Sequence, residues 1–132
     1  LKKNSLPDYR EKQRLLYGGH TTAEERITYG RLFWERDRIF DALEFYKKAG
    51  YIDGLKELKE RAKGMGDAML FAEVLKALGE NPSTEEWSTL ARQAKELKKY
   101  QFALWAAQKG KDERVAQDVR KIMESEGEMI SQ

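Results

Sequence analysis

The sequence predicts an all-α chain of stacked antiparallel helical hairpins, and three observations carry that prediction. No window shows the apolar–polar alternation of an amphipathic strand, whereas apolar residues recur at three- and four-residue spacing along the chain. Acids gather where helices should begin (Glu24-Glu25, Asp37, Asp53, Asp67, Glu85-Glu86, Asp112-Glu113) and bases where they should end (Lys47-Lys48, Lys63, Lys98-Lys99), which complements helix dipoles. The expected helices are short, roughly 10 to 15 residues, and are joined by Gly, Asp and Pro turns, so they gain stability only by packing on one another.

The first helix is expected over residues 6–17, with Pro7 tolerated in its first turn, Tyr9, Leu15 and Leu16 as a modest apolar side, and Gly18-Gly19 as its stop. Thr22-Ala23-Glu24-Glu25 is a capping-box pattern opening the next helix, whose Ile27, Tyr29, Leu32 and Phe33 form a stripe. The polar knot Glu35-Arg36-Asp37-Arg38 separates it from a partner carrying Ile39, Ala42, Leu43, Tyr46 and Ala49. Asp53 is expected to cap a helix from Gly54 to Lys63, with Leu55, Leu58 and Ala62 on one side and Gly64-Met65-Gly66 ending it.

Asp67 should cap a helix from Ala68 to Leu78 that is apolar on most sides, Met69 included, and that is therefore expected to lie between neighbours. After Gly79-Glu80-Asn81-Pro82, Ser83-Thr84-Glu85-Glu86 forms a second capping box, and Trp87, Leu90, Ala91, Ala94 and Leu97 make a continuous stripe behind it. Its alanine-rich partner runs from Tyr100 to Lys109, with Gly110 expected to stop it. A last helix over 113–126 buries Val115, Val119, Ile122 and Met123 and keeps a polar outer face, as the end of a helical stack requires; Met129 and Ile130 follow it.

Composition narrows the class. At 132 residues the chain is sized for a single domain over 1–132, and 36% charged residues beside 40% hydrophobic suit helices that each keep one face in water. Three Trp, six Tyr and five Phe argue against disorder, because disordered chains are depleted of aromatics. The absence of Cys excludes disulfides and thiolate zinc sites. No apolar run approaches the roughly 18 residues of a membrane span, and nothing after Leu1-Lys2-Lys3 has the apolar core of a signal peptide, so a soluble, cytoplasmic protein is expected. A start at Leu1 suggests a processed or trimmed chain, beside which a neighbouring domain could lie. The formal charge of +2 is too near balance to imply a polyanion partner by itself.

These hairpins resemble the tetratricopeptide repeat, a helical pair of about 34 residues with the pattern W-x2-L-G-x2-Y, then A-x3-F, then a small residue and Pro. In the first hairpin Tyr29 takes the Leu position, Gly30 the Gly, Phe33 the Tyr, Ala42 the Ala, Tyr46 the Phe and Ala49 the next Ala, while Arg26 stands at the Trp position. In the later hairpin Trp87, Leu90, Ala91 and Ala94 fall on first-helix positions and Ala103, Ala107 and Gly110 on second-helix ones. The pair between them departs from the pattern at Lys56 and Lys59. The resemblance spans residues 22–110 in about three hairpins and implies a right-handed superhelix whose first helices line a concave groove that binds a peptide or another protein.

That resemblance implies a groove presenting Ile27, Arg31, Trp34 and Glu35 from one pair and Ser88, Arg92, Lys95 and Lys99 from another. Trp34 has two readings, a solvent-facing aromatic anchor or a residue packed on the preceding helix. Arg31, Arg92, Lys95 and Lys99 read either as a basic strip for an acidic peptide or as a solvated helix face. His20, the sole histidine, lacks the partners that a metal site or a nucleophile relay needs, and Gly64-Met65-Gly66-Asp67 lacks the strand before it and the Lys-Ser/Thr after it that a phosphate loop requires. The pairs Glu24-Glu25 and Glu85-Glu86 diverge around their helices and belong to caps.

The expected function is a non-catalytic scaffold for a protein or peptide partner, with no cofactor and no metal. The alternatives are a nucleic-acid-binding helical repeat, suggested by a pI of 8.7, and self-association through an apolar end containing Met123, Met129 and Ile130.

Overall fold

A computed structural model of the chain describes residues 5–131, with side chains described as far as residue 127. Among the described residues it is all-α, with helices α1 (Tyr9–Tyr17), α2 (Ala23–Glu35), α3 (Ile39–Ala49), α4 (Ile52–Met65), α5 (Ala68–Leu78), α6 (Thr84–Glu96), α7 (Tyr100–Lys109) and α8 (Glu113–Ser131). None of these helices is long and apolar enough to cross a membrane. The chain divides into two compact units between Leu58 and Lys59, within α4.

The start signals act as expected at α2 and α5; at α6 only the Ser83 half of the expected capping box forms, and the Glu86 carboxylate faces Lys59 and Lys63 instead. The Thr22 hydroxyl accepts from the Glu25 N–H while the Glu25 carboxylate accepts from the Thr22 N–H, closing a full capping box. Asp67 accepts from Leu70 N–H and Ser83 from Glu86 N–H. At α1 the cap is Asp8, accepting from Glu11 N–H, so the helix begins at Tyr9 and Leu6 and Pro7 precede it. Asp53 is not a cap: α4 begins at Ile52, which places Asp53 inside the first turn, where its charge still suits the dipole.

In the first unit α3 is the buried helix, contributing Ile39, Ala42, Leu43, Phe45 and Tyr46 to the core, while α2 contributes Gly30 and Phe33. Tyr29 and Leu32 are half-buried. Gly30 is a packing glycine: a Cβ there would lie 2.6 Å from Tyr46 Cε1 and 3.1 Å from Phe45 Cβ, so only hydrogen lets α3 approach. The Phe33 and Phe45 rings stack at 5.5 Å beside it. Arg26 replaces the aromatic of the repeat pattern with a polar tie, donating from Nε to Leu15 O at 3.0 Å and from Nη2 to Gly18 O at 3.3 Å, where α1 ends. Lys12 fastens α1 to α3 through Asp41 and Glu44; burial pulls its pKa down, but those hydrogen bonds and charges leave it raised.

In the second unit α6 and α7 pack against α5 and against each other, and α8 packs on α7 and α6. Its core is Leu70, Phe71, Val74, Leu75, Trp87, Leu90, Ala91, Ala94, Ala103, Ala106, Ala107 and Val119. Met69 is 56% exposed, so α5 keeps one edge in solvent. Gly110 caps the end of α7, as expected, but not as a left-handed glycine. It has right-handed helical geometry, and Lys111 takes the left-handed position at φ 53°. Glycine is required at 110 because a Cβ would lie 2.8 Å from both Ser88 N and Thr84 O. The last helix continues past residue 126 to Ser131, with Val115, Ala116 and Val119 buried and Ile122 and Met123 half-buried. The side chains of Met129 and Ile130, which the self-association reading invokes, lie outside the described residues.

Candidate functional site

The groove residues expected from sequence fall on two helices, one in each unit. On α2, Ile27, Arg31, Trp34 and Glu35 follow one another at intervals of four, three and one residues, which sets them along one side of the helix. Arg31 and Glu35 are exposed; Ile27 and Trp34 are half-buried, so Trp34 is neither a free-standing anchor nor a core residue. This side turns away from Gly30 and Phe33, whose close packing on α3 fixes the rotation of the helix.

Arg31 is oriented by aromatic hydroxyls. Its Nη2 donates to Tyr51 Oη at 3.2 Å. The Tyr51 ring meets the Tyr46 ring edge-on at 5.2 Å, and Tyr46, 2% exposed, is wedged between two glycines. A Cβ at Gly54 would lie 2.8 Å from Tyr46 Cδ2 and 2.5 Å from Tyr51 Cδ2. Burial raises the Tyr46 pKa, the Arg31 charge works against that, and Glu57 adds to it. Sequence reading missed Tyr51; its one signal is an aromatic directly after Gly50, the left-handed residue that ends α3.

On α6 the expected basic strip is bound to its own unit. Ser88 donates to Asp112, Arg92 donates to Ser88 Oγ at 3.0 Å and to Thr89 Oγ1 at 3.3 Å, and Lys95 pairs with Asp118 at 3.4 Å. Lys99 Nζ donates to the carbonyl of Met65 at the end of α4. Asp112 is the centre of this set: it accepts from Ser88 and from Val115 N–H, and these bonds, with Arg92 and Arg114 nearby, hold its pKa below the ordinary carboxylate value against the opposing effect of burial. Ser88, Thr84, Gly110, Asp112 and Arg114 line an open cleft where α6 and α8 begin.

No family model, curated protein or solved structure matches the chain. Among the described residues no three His, Asp or Glu side chains are placed to hold a metal ion. Exposed His20 lies in the turn between α1 and α2, and Gly64-Met65-Gly66-Asp67 is the closure of α4 followed by the cap of α5: Asp67 N–H donates to Ala62 O, and Gly66 takes φ 62°. A Cβ at Gly66 would also lie 2.7 Å from Ala94 Cα.

Proposed function

We propose that the chain is a non-catalytic scaffold that holds a protein or peptide partner on the exposed side of α2, with Ile27, Arg31, Trp34 and Glu35 as the contact residues. The observation that carries this reading is the contrast in how the two helices use their polar side chains. The α6 residues are tied to neighbouring elements of their own unit, Ser88 and Arg92 through Asp112, Lys95 through Asp118 and Lys99 through the Met65 carbonyl, whereas the α2 row combines accessible apolar surface with an Arg whose hydrogen bonding goes to neutral phenols. Half-buried aromatic and aliphatic groups flanking an Arg are the composition that interface centres favour. Ser88, Arg92, Lys95 and Lys99 accordingly support the fold.

The test is affinity capture with the wild-type chain and with Ile27→Asp and Arg31→Glu, followed by reconstitution of the captured protein with purified chains. The reading predicts a partner whose affinity falls about tenfold or more in each variant, equivalent to about 1.4 kcal/mol, at unchanged thermal stability. Undiminished binding by both variants overturns the assignment to α2. Substrate turnover that tracks a point mutation overturns the non-catalytic part.

A further inference from the structure

We infer that Arg31 and Tyr51 form an oxyanion-binding site that takes a carboxylate or phosphate group carried by a protein partner. The inference rests on the reading of α2 as the partner-binding side and adds the chemistry recognised there. Four basic residues were expected to face a partner, and the structure separates them: Arg92, Lys95 and Lys99 each bond to acceptors of their own unit. Arg31 is exposed, and among the described residues it enters no salt bridge; its hydrogen-bond partners are the hydroxyls of Tyr51 and Tyr46. A neutral acceptor orients the guanidinium without neutralising it.

The orientation is held from beneath. Tyr46 lies between Gly30 and Gly54, and Tyr51 leans edge-on against it, so the phenol that anchors Arg31 stands on a ring packed between two helix backbones. A guanidinium has five N–H donors, and a phenol oxygen that accepts one of them keeps its own O–H to donate. The remaining N–H groups and the Tyr51 O–H are therefore available to one incoming anion, a fork suited to two-point contact with carboxylate or phosphate oxygens. The surroundings are not uniformly positive. Glu35 lies one turn along α2 and Glu57 acts on the Tyr46 hydroxyl. Recognition consequently depends on the donor geometry more than on net charge, and a Lys at position 31 should not replace Arg.

The experiment uses the full chain labelled with nitrogen-15 and follows the Arg31 side-chain Nε–Hε signal, assigned by its disappearance in Arg31→Lys. Three acetylated, amidated tripeptides are titrated: Glu-Glu-Glu, Ala-phosphoserine-Ala and Gln-Gln-Gln. The expected result is a saturable shift at Arg31 with at least one charged peptide and none with the glutamine peptide; the tighter binder identifies carboxylate or phosphate as the source. Affinity of that peptide should fall about tenfold in Arg31→Lys and about fivefold in Tyr51→Phe, which keeps the ring packing and removes the hydroxyl. Shifts that fail to saturate and are equal at Arg31 and Arg92 overturn the site, as does wild-type affinity in Arg31→Lys. If a reconstituted protein partner binds Arg31→Lys as it binds wild type but is lost in Ile27→Asp, the oxyanion site fails while the α2 reading stands.

Discussion

The α2–α3 and α6–α7 hairpins are closed by the same turn and filled in opposite ways. At the end of α2, Asp37 at φ 62° lets Asp37 N–H reach Trp34 O and Arg38 N–H reach Phe33 O; at the end of α6, Lys98 at the same φ lets Lys98 N–H reach Lys95 O and Lys99 N–H reach Ala94 O. Both are Schellman closures in which a non-glycine residue takes the left-handed position. Above the turns, α2–α3 sets a glycine against large rings, Gly30 under Tyr46 and Phe45. The α6–α7 hairpin instead sets alanine on both sides, Ala91 and Ala94 with Ala103, Ala106 and Ala107. The turn fixes the reversal of the chain; side-chain volume only has to be shared so that the helices can meet.

Their outer faces differ as well. The α6 polar side chains reach Asp112, Asp118 and Met65 O, so that face is part of how its unit holds together. The α2 face carries its charge on a guanidinium braced by phenols and leaves it accessible. Similar residues at corresponding hairpin positions thus serve structure in one hairpin and stay accessible in the other.

The sharpest break in the filling contrast is Gly110→Ala. Its added Cβ would meet backbone atoms of α6, Ser88 N and Thr84 O, which no rotamer change can move. The expected loss is about 3 kcal/mol in chemical denaturation. Gly30→Ala meets the Tyr46 ring instead and should cost about 2 kcal/mol. Because that neighbour is a side chain, Gly30→Ala should couple with Tyr46→Leu by about 1 kcal/mol in a double-mutant cycle; strict additivity would show that the ring is not what excludes the methyl.

Asp112→Ala removes the acceptor for Ser88 and for Val115 N–H and should cost about 1 kcal/mol near neutral pH. Since the folded-state pKa of Asp112 is lowered, its contribution is present above the unfolded value of about 3.9 and is lost as the pH falls through the folded value. The melting-temperature gap between wild type and Asp112→Ala should therefore stay constant from neutral pH to about pH 5 and close in stronger acid. The smallest effect concerns the shared turn: Lys98→Gly should stabilise by about 0.5 kcal/mol, because lysine is strained at positive φ. Asp37→Gly should gain less, aspartate being better tolerated there.

Where a helix carries chemical signals at both ends, its bounds were legible in the sequence. α5 runs from Ala68 to Leu78 between an Asp cap and left-handed Gly79. Where a terminus has no side-chain signal, the reading slipped. α4 begins before Asp53, and the left-handed positions at Asp37, Lys98 and Lys111 are set by hydrogen-bond geometry rather than residue type. Gly110 ends α7 as the sequence predicts, but the crowding that demands glycine there is not legible, because the backbone of α6 that causes it is more than twenty positions away in sequence. The same limit applies to the candidate site. The resemblance implies Ile27, Arg31, Trp34 and Glu35 as one set, and their spacing puts them along one side of α2. That Lys95 finds Asp118 and Lys99 finds the Met65 carbonyl depends on contacts that short-range periodicity does not encode.

The central claim is that the α2 side binds the partner and the α6 side serves the fold. The most direct measurement compares the affinity of one purified partner for wild type, Arg31→Glu and Lys95→Gln alongside the melting temperature of each chain. The account predicts that Arg31→Glu loses about tenfold or more in affinity with its melting temperature unchanged, while Lys95→Gln keeps its affinity and melts slightly earlier. Lost binding in Lys95→Gln together with full binding in Arg31→Glu would contradict it.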